Sequence, residues 1–193
     1  QRQMCIRDRP ETEELVELIL SENPETPLSV LDIGTGSGAI ALALANSRPD
    51  WKITASDLSK DALSLAAENA QFCGLNLTLV QSDCLDAIQG KFDIIASNPP
   101  YISEEDKDEV GLNVLTSEPH MALFAEEDGY EVYRKIAEQA GDYLTEKGKI
   151  YLEIGYKQGD GVVDLLKQFF PQKRIRVLKD QFGKDRMVAM DNG

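Results

Sequence analysis

The apolar segment Ser29 to Ile33 runs directly into Gly34-Thr35-Gly36-Ser37-Gly38 and then into a small-residue helical pattern ending near Ser47. Few arrangements accept such a unit. Glycines take the φ > 0 backbone that a tight turn needs, and a helix that begins where a strand stops must carry the chain back across a sheet. The pattern recurs. A second strand, Lys52 to Ser56, runs into Asp57, and Ser59 caps a helix with Ala62, Leu65, Ala66, Ala70 and Cys73 on its inner face, stopped by Gly74. Leu77 to Gln81 reads as a third strand and Phe92 to Ser97 as a fourth. A helix from Tyr130 to Leu144, a fifth strand from Lys149 to Ile154 and a helix from Gln158 to Phe170 follow. Alternation of this kind predicts βαβ units and a parallel sheet.

The two ends depart from the alternation. A first helix is predicted from Pro10 to Asn23, with Glu11, Glu13 and Glu14 favouring its N-terminus and Pro24 beyond its end. Near the C-terminus, Arg174 to Leu178 and Arg186 to Met190 are separated only by residues 180–185 and the preceding Lys179. That leaves no room for a crossover helix, so an antiparallel hairpin at the sheet edge is expected. The fold class is α/β, a Rossmann-like doubly wound seven-stranded sheet with an antiparallel C-terminal hairpin. Residues 9–193 form one domain, and residues 1–8 are an atypical stub. The polar stretch from Ser103 to Gly129 is long for a connector and reads as a functional loop or lid.

Composition narrows the function. Net charge is −14, from 34 acidic and 20 basic side chains, which repels a phosphate backbone and argues against stable nucleic-acid binding. His120 is the single histidine, so Ser-His-Asp catalysis and multi-histidine metal sites are excluded. Cys5, Cys73 and Cys84 are odd in number and lack C-x-x-C spacing, which fits a reducing cytoplasm. No apolar run approaches the roughly 20 residues that span a bilayer. A cytoplasmic monomer without metal or membrane partner is expected.

Two motifs carry chemistry. Gly34, Thr35, Gly36, Ser37 and Gly38 let a ligand lie against bare backbone, and free N–H groups at the following helix start attract negative charge. The spacing is G-x-G-x-G and not the dinucleotide G-x-G-x-x-G, which favours S-adenosyl-L-methionine over nicotinamide. Asp57, 19 residues beyond Gly38, is placed to accept from both ribose hydroxyls; a helix-entry aspartate beside Ser59 is the other reading. Asp83 could meet an adenine edge or cap a turn before Leu85.

The second motif is Asn98-Pro99-Pro100-Tyr101, at the end of the fourth strand. Two prolines fix the backbone and remove two N–H donors, leaving an acceptor-rich corner. The Asn98 side-chain oxygen and the Pro99 carbonyl can both accept from one planar NH₂ group, while Tyr101 offers a flat face for stacking. Asn-Pro and Pro-Pro also mark plain turns, but a plain turn needs no tyrosine at a strand end. In a doubly wound sheet the first and fourth strands are neighbours where strand order reverses, and ligands bind outside their C-terminal ends. The glycine turn and Asn98 should therefore face one crevice. An amide or adenine nitrogen held by two acceptors is oriented for methyl transfer, and positioning with electrostatics can drive the step without a histidine base.

These residues together resemble the release-factor glutamine methyltransferases (the PrmC/HemK family). The resemblance runs from Arg9 to the C-terminus. It rests on Arg9-Pro10-Glu11-Thr12-Glu13, Leu31-Asp32-Ile33-Gly34-Thr35-Gly36-Ser37-Gly38, Asp57, and Phe92 through Ile102. Glu118-Pro119 with Ala122-Leu123, and Tyr151-Leu152-Glu153-Ile154-Gly155, add to it. The resemblance implies a class I fold that binds S-adenosyl-L-methionine and methylates the glutamine of the Gly-Gly-Gln motif in class 1 peptide chain release factors. By that likeness Gly34 to Gly38, Asp57, Asp83, Cys84 and Asn98 would meet the cofactor, and Asn98, Pro99, Pro100 and Tyr101 the glutamine. Two features depart from the family. Its members carry a small N-terminal helical domain, so the stub is expected to mark a truncation or a sequence-end artefact. Some place a tryptophan against the adenine where this chain has Cys84, which would lower cofactor affinity.

Three rival readings stand beside this one. A nucleic-acid amino methyltransferase uses the same corner, but the acidic balance and Glu104, Glu105, Asp106, Asp108 and Glu109 oppose it and suit a basic protein partner. The others are a cofactor-binding remnant without activity and an NAD-dependent oxidoreductase.

Overall fold

The computed structural model describes residues 10–99 and 129–193. Pro100, Tyr101, His120, the acidic residues from Glu104 to Glu109 and the stub at residues 1–8 lie outside the described residues.

The elements in chain order are α1 (Pro10–Glu22), β1 (Ser29–Ile33), α2 (Ala39–Ser47), β2 (Lys52–Asp57), α3 (Lys60–Cys73), β3 (Thr78–Gln81), β4 (Phe92–Ser97), α4 (Glu131–Tyr143), β5 (Leu144–Glu153), α5 (Gly159–Phe169), β6 (Arg174–Lys179) and β7 (Asp185–Asp191). They form one seven-stranded sheet in the order β3-β2-β1-β4-β5-β7-β6. β1 pairs in parallel with β2 and β4, and β5 continues that direction beside β4. β7 runs antiparallel to both β5 and β6. The doubly wound sheet and its C-terminal hairpin are those expected from the residues.

Apolar runs in β1 and β4 are continuous because helices cover both faces. Leu31, Ile33 and Ile95 pack with Tyr133, Ile136 and Ala140 of α4 and Val162 and Leu166 of α5. Val30 and Ile94 point the other way, to Leu15 and Ile19 of α1 and Ile40 and Leu44 of α2. Adjacent residues thus feed opposite layers, as the strand period of two requires. α3 is capped as anticipated. The Ser59 hydroxyl accepts from the Ala62 N–H at 3.2 Å, and Gly74 closes the helix at φ 67°.

Three details differ from expectation. β5 starts at Leu144, five residues early, because Leu144 pairs with Phe92 before residues 145–148 loop out and pairing resumes at Lys149 with Ile94. Thr145-Glu146-Lys147-Gly148 is turn-like in composition, which hides the short first pairing. Within the hairpin, β7 and not β6 lies beside β5. β7 is buried along nearly its whole length, whereas β6 carries Arg174, Arg176 and Lys179 and so suits an edge. On α3 the buried face is Ala66, Asn69 and Ala70, while Cys73 is exposed beside the terminal glycine.

Candidate active site

β1, β2 and β4 end side by side, and their ends build the site. Ile33 is paired with Ser56 on one side and Ser97 on the other. The Ser97 hydroxyl donates to the Ile33 carbonyl at 2.7 Å, and the Thr35 N–H donates to the Ser56 carbonyl at 2.9 Å. Gly34 and Asn98 each follow a member of the Ile33–Ser97 pair, so they leave neighbouring strands spaced by about 4.8 Å. The glycine turn and Asn98 therefore leave the same end of the sheet from adjacent strands.

Gly34, Gly36 and Gly38 all have positive φ, of 68°, 56° and 86°. A side chain added at Gly34 or Gly36 would meet nothing within 4 Å, so space lies directly over the turn. At Gly38 an added carbon would come within 3.3 Å of Ala66 and Leu42, which makes its role close helix packing. Asn69 reaches back from α3 and donates to the Ser37 carbonyl at 2.9 Å, tying the turn down.

Asp57 holds the turn from the second strand. One carboxylate oxygen accepts from the Gly36 N–H at 2.9 Å and the other from the Ser59 N–H at 2.8 Å. The helix-entry reading of Asp57 is therefore realised. Each oxygen still has a second lone pair, and the side chain is half-buried, so it retains capacity for ribose hydroxyls. Open space over bare glycine backbone at Gly34 and Gly36 and a half-buried carboxylate at Asp57 fit the adenosine and amino-acid groups of S-adenosyl-L-methionine.

Asp32 is a site residue that the sequence reading left without a role. It is fully buried beneath the turn, where its Oδ2 accepts from the Thr35 hydroxyl at 2.6 Å and its Oδ1 has no hydrogen-bond partner. Desolvation pushes its carboxyl from an ordinary 3.8 up to about 7, with the Thr35 hydroxyl and the Ala41 backbone N–H opposing and the Asp57 charge adding to the rise. An aspartate inside an otherwise apolar strand was the available signal.

Asp83 has a long-range partner that its local sequence does not show. Its carboxylate takes Lys135 of α4 at 2.8 Å, and Lys135 also pairs with Glu131 at 2.9 Å. These two acids hold the Lys135 ammonium well above its usual range. Cys84 has φ 46° and packs into the core with Leu85 and Ile88, where burial pushes its thiol up to about 12. Asn98 is half-buried and Pro99 buried. The Asn98 amide nitrogen donates to the Thr12 hydroxyl of α1 at 3.1 Å, and Thr12 donates to Glu153 at the end of β5 at 2.8 Å. Thr12 and Glu153 lay inside motifs quoted for the family resemblance, yet neither carried an assigned role.

Among the described residues no helix is long and apolar enough to cross a membrane, and no cluster of three or more His, Cys, Asp or Glu could hold a metal.

The methyltransferase small domain family matches residues 12–121. A release factor glutamine methyltransferase from Streptococcus pneumoniae is 67% identical over 185 residues, covering 96% of this chain and 66% of that protein. One from Lactococcus lactis is 55% identical over 182 residues, covering 94% of this chain and 67% of that protein. The chain thus spans about two thirds of the length of these relatives. Among solved structures, a ribosomal protein L11 methylase from Lactobacillus delbrueckii subsp. bulgaricus superposes with TM-score 0.70 at 25% identity, covering 95% of this chain and 79% of that one. A Pyrococcus furiosus methyltransferase gives TM-score 0.68 at 21% identity over 96% of this chain and 84% of that one, a likeness of fold.

Proposed function

The chain belongs to the methyltransferase small domain family and to the release factor glutamine methyltransferases, and from that premise we propose that it methylates the side-chain amide nitrogen of a glutamine in a protein release factor. The observation that carries this reading is the adjacency of two strand ends. Gly34 and Asn98 follow the paired residues Ile33 and Ser97, so a cofactor over the turn and an amide at Asn98 share one crevice.

Gly34 to Gly38 and Asp57 would hold S-adenosyl-L-methionine, with Asp83 and Cys84 flanking the adenine side. When bound, that cofactor would supply a sulfonium methyl for transfer to the amide nitrogen, with the bonding pair left on sulfur and one N–H proton lost to water. The chain's own residues then do the positioning. Asn98 and the Pro99 carbonyl accept the two N–H hydrogens of the glutamine amide, which aims the nitrogen and favours its pyramidal, nucleophilic form. To Tyr101 we assign stacking on the planar amide, the role its motif implies.

The release factor as partner is supported by the names of the relatives and by a net charge of −14, which suits a basic protein better than a nucleic acid. Tritiated-methyl transfer from S-adenosyl-L-methionine to a purified class 1 release factor tests the proposal. Label on its Gly-Gly-Gln glutamine whose rate of incorporation falls at least about 100-fold, to a small measurable residue, with Asn98→Ala is the expected result. Label on tRNA or ribosomal RNA instead would overturn it.

A further inference from the structure

Three distant segments meet beside Asn98. Thr12 lies in α1, Asn98 follows β4, and Glu153 ends β5; the pairing of Ser97 with Leu152 puts Asn98 and Glu153 at matching positions on adjacent strands. Thr12 bridges them. Its hydroxyl donates to Glu153 Oε2 at 2.8 Å and accepts from Asn98 Nδ2 at 3.1 Å. Thr12 is 6% exposed and Glu153 fully buried, so water does not compete readily for these bonds.

The direction of the chain matters more than its strength. A threonine hydroxyl has one proton, and here it is given to Glu153 Oε2. The Thr12 oxygen therefore faces Asn98 with lone pairs alone. Only the NH₂ end of the Asn98 amide can satisfy it, which turns Oδ1 the other way. A half-turn of that amide would set Oδ1 against the lone pairs of the Thr12 oxygen, and would present NH₂ where the substrate amide also has donors.

We propose that Thr12 and Glu153 are positioning residues that fix which end of the Asn98 amide faces the substrate. The inference rests on the reading of Asn98 as the acceptor for the glutamine amide. Glutamine in place of Glu153 keeps the shape and replaces one carboxylate oxygen by a donor. Where its NH₂ faces Thr12, the Thr12 proton is released towards Asn98, and the asparagine turns its Oδ1 to accept it.

The test uses Thr12→Val, Thr12→Ser and Glu153→Gln, each alone and combined with Asn98→Ala. Thr12→Val, which removes only the hydroxyl, is expected to lower kcat about 10–100-fold, the range for losing one oriented hydrogen bond at a reacting group. Cofactor Kd by calorimetry should stay within about twofold, because the glycine turn and Asp57 are untouched. Thr12→Ser, which keeps the hydroxyl, should recover at least about a third of wild-type kcat. In the Asn98→Ala background Thr12→Val should cost nothing more. Independently of turnover, the side-chain ¹⁵N–¹H pair of Asn98, identified by its absence in Asn98→Ala, should shift in Thr12→Val and Glu153→Gln. Wild-type kcat in Thr12→Val, no gain on returning the hydroxyl with serine, or an undiminished loss in the Asn98→Ala background would overturn the proposal. Should Glu153→Gln not fold, the Thr12 pair decides. If the wild type methylates no release factor, the functional reading falls first, and an unmoved Asn98 resonance then sinks the relay as well.

Discussion

Asp32→Asn should change the pH dependence of stability in a defined direction. Asp32 is fully buried, and its carboxyl is raised from 3.8 to about 7 by desolvation. A folded-state pKa above the unfolded one means that folding favours the protonated form. The group then costs nothing below the unfolded value, and the penalty grows with pH until it is complete above about 7. At about 1.4 kcal/mol per pKa unit, the full penalty is about 4 kcal/mol. Roughly 2.5 kcal/mol of it accumulates between about pH 5 and pH 8. Asparagine keeps an acceptor for the Thr35 hydroxyl, which now bonds Oδ2 at 2.6 Å, but carries no charge. Its NH₂ takes the place of the unpartnered Oδ1, at a pH-independent cost of about 1–3 kcal/mol. Whatever that offset, the stability difference between variant and wild type should move in the variant's favour by roughly 2.5 kcal/mol across that range. Urea unfolding of the cofactor-free protein at three pH values measures it. A difference constant with pH would refute the assignment of a buried, reluctantly ionised Asp32.

Gly36→Ala places a side chain at φ 56° in open space, so stability should fall by only about 1 kcal/mol while cofactor affinity falls at least about tenfold by calorimetry. Unchanged affinity would show that nothing lies over the turn. Arg176 grips Glu22 with two bonds, at 2.9 and 2.8 Å, and also pairs with Asp191 at 3.0 Å, joining α1 to the hairpin. Glu22→Gln should cost about 1–2 kcal/mol in denaturant unfolding at neutral pH, and a neutral result would mean that packing alone holds α1. With a net charge of −14, raising salt should lower kcat/KM for a whole release factor and leave a short Gly-Gly-Gln peptide nearly unaffected. Equal salt dependence for both substrates would remove electrostatic docking from the account.

The bounds of β1 and β4 coincide with those read from the residues, because both strands are apolar, buried on two faces and cut off by a glycine or by Asn-Pro. The adjacency of their ends was legible for the same reason: strand order in a doubly wound sheet makes them neighbours. Long-range polar partners were not. Asp83 finds Lys135 across 52 residues, and Thr12 finds Glu153 across 141. Local spacing carries no trace of such pairs. Around Asp83 the sequence displays only near neighbours, so the ion pair with Lys135 could not be read from it. The place of β7 beside β5 depends on which hairpin strand can be buried, and β6 with its three basic residues cannot.

A crystal structure with S-adenosylhomocysteine and a Gly-Gly-Gln peptide bears most directly on the shared crevice. The expected result has the adenosine over Gly34 to Gly38 and the glutamine Nε2 within about 3 Å of Asn98 Oδ1, on the same side of the sheet end. Density for the two ligands on separate surfaces would contradict it.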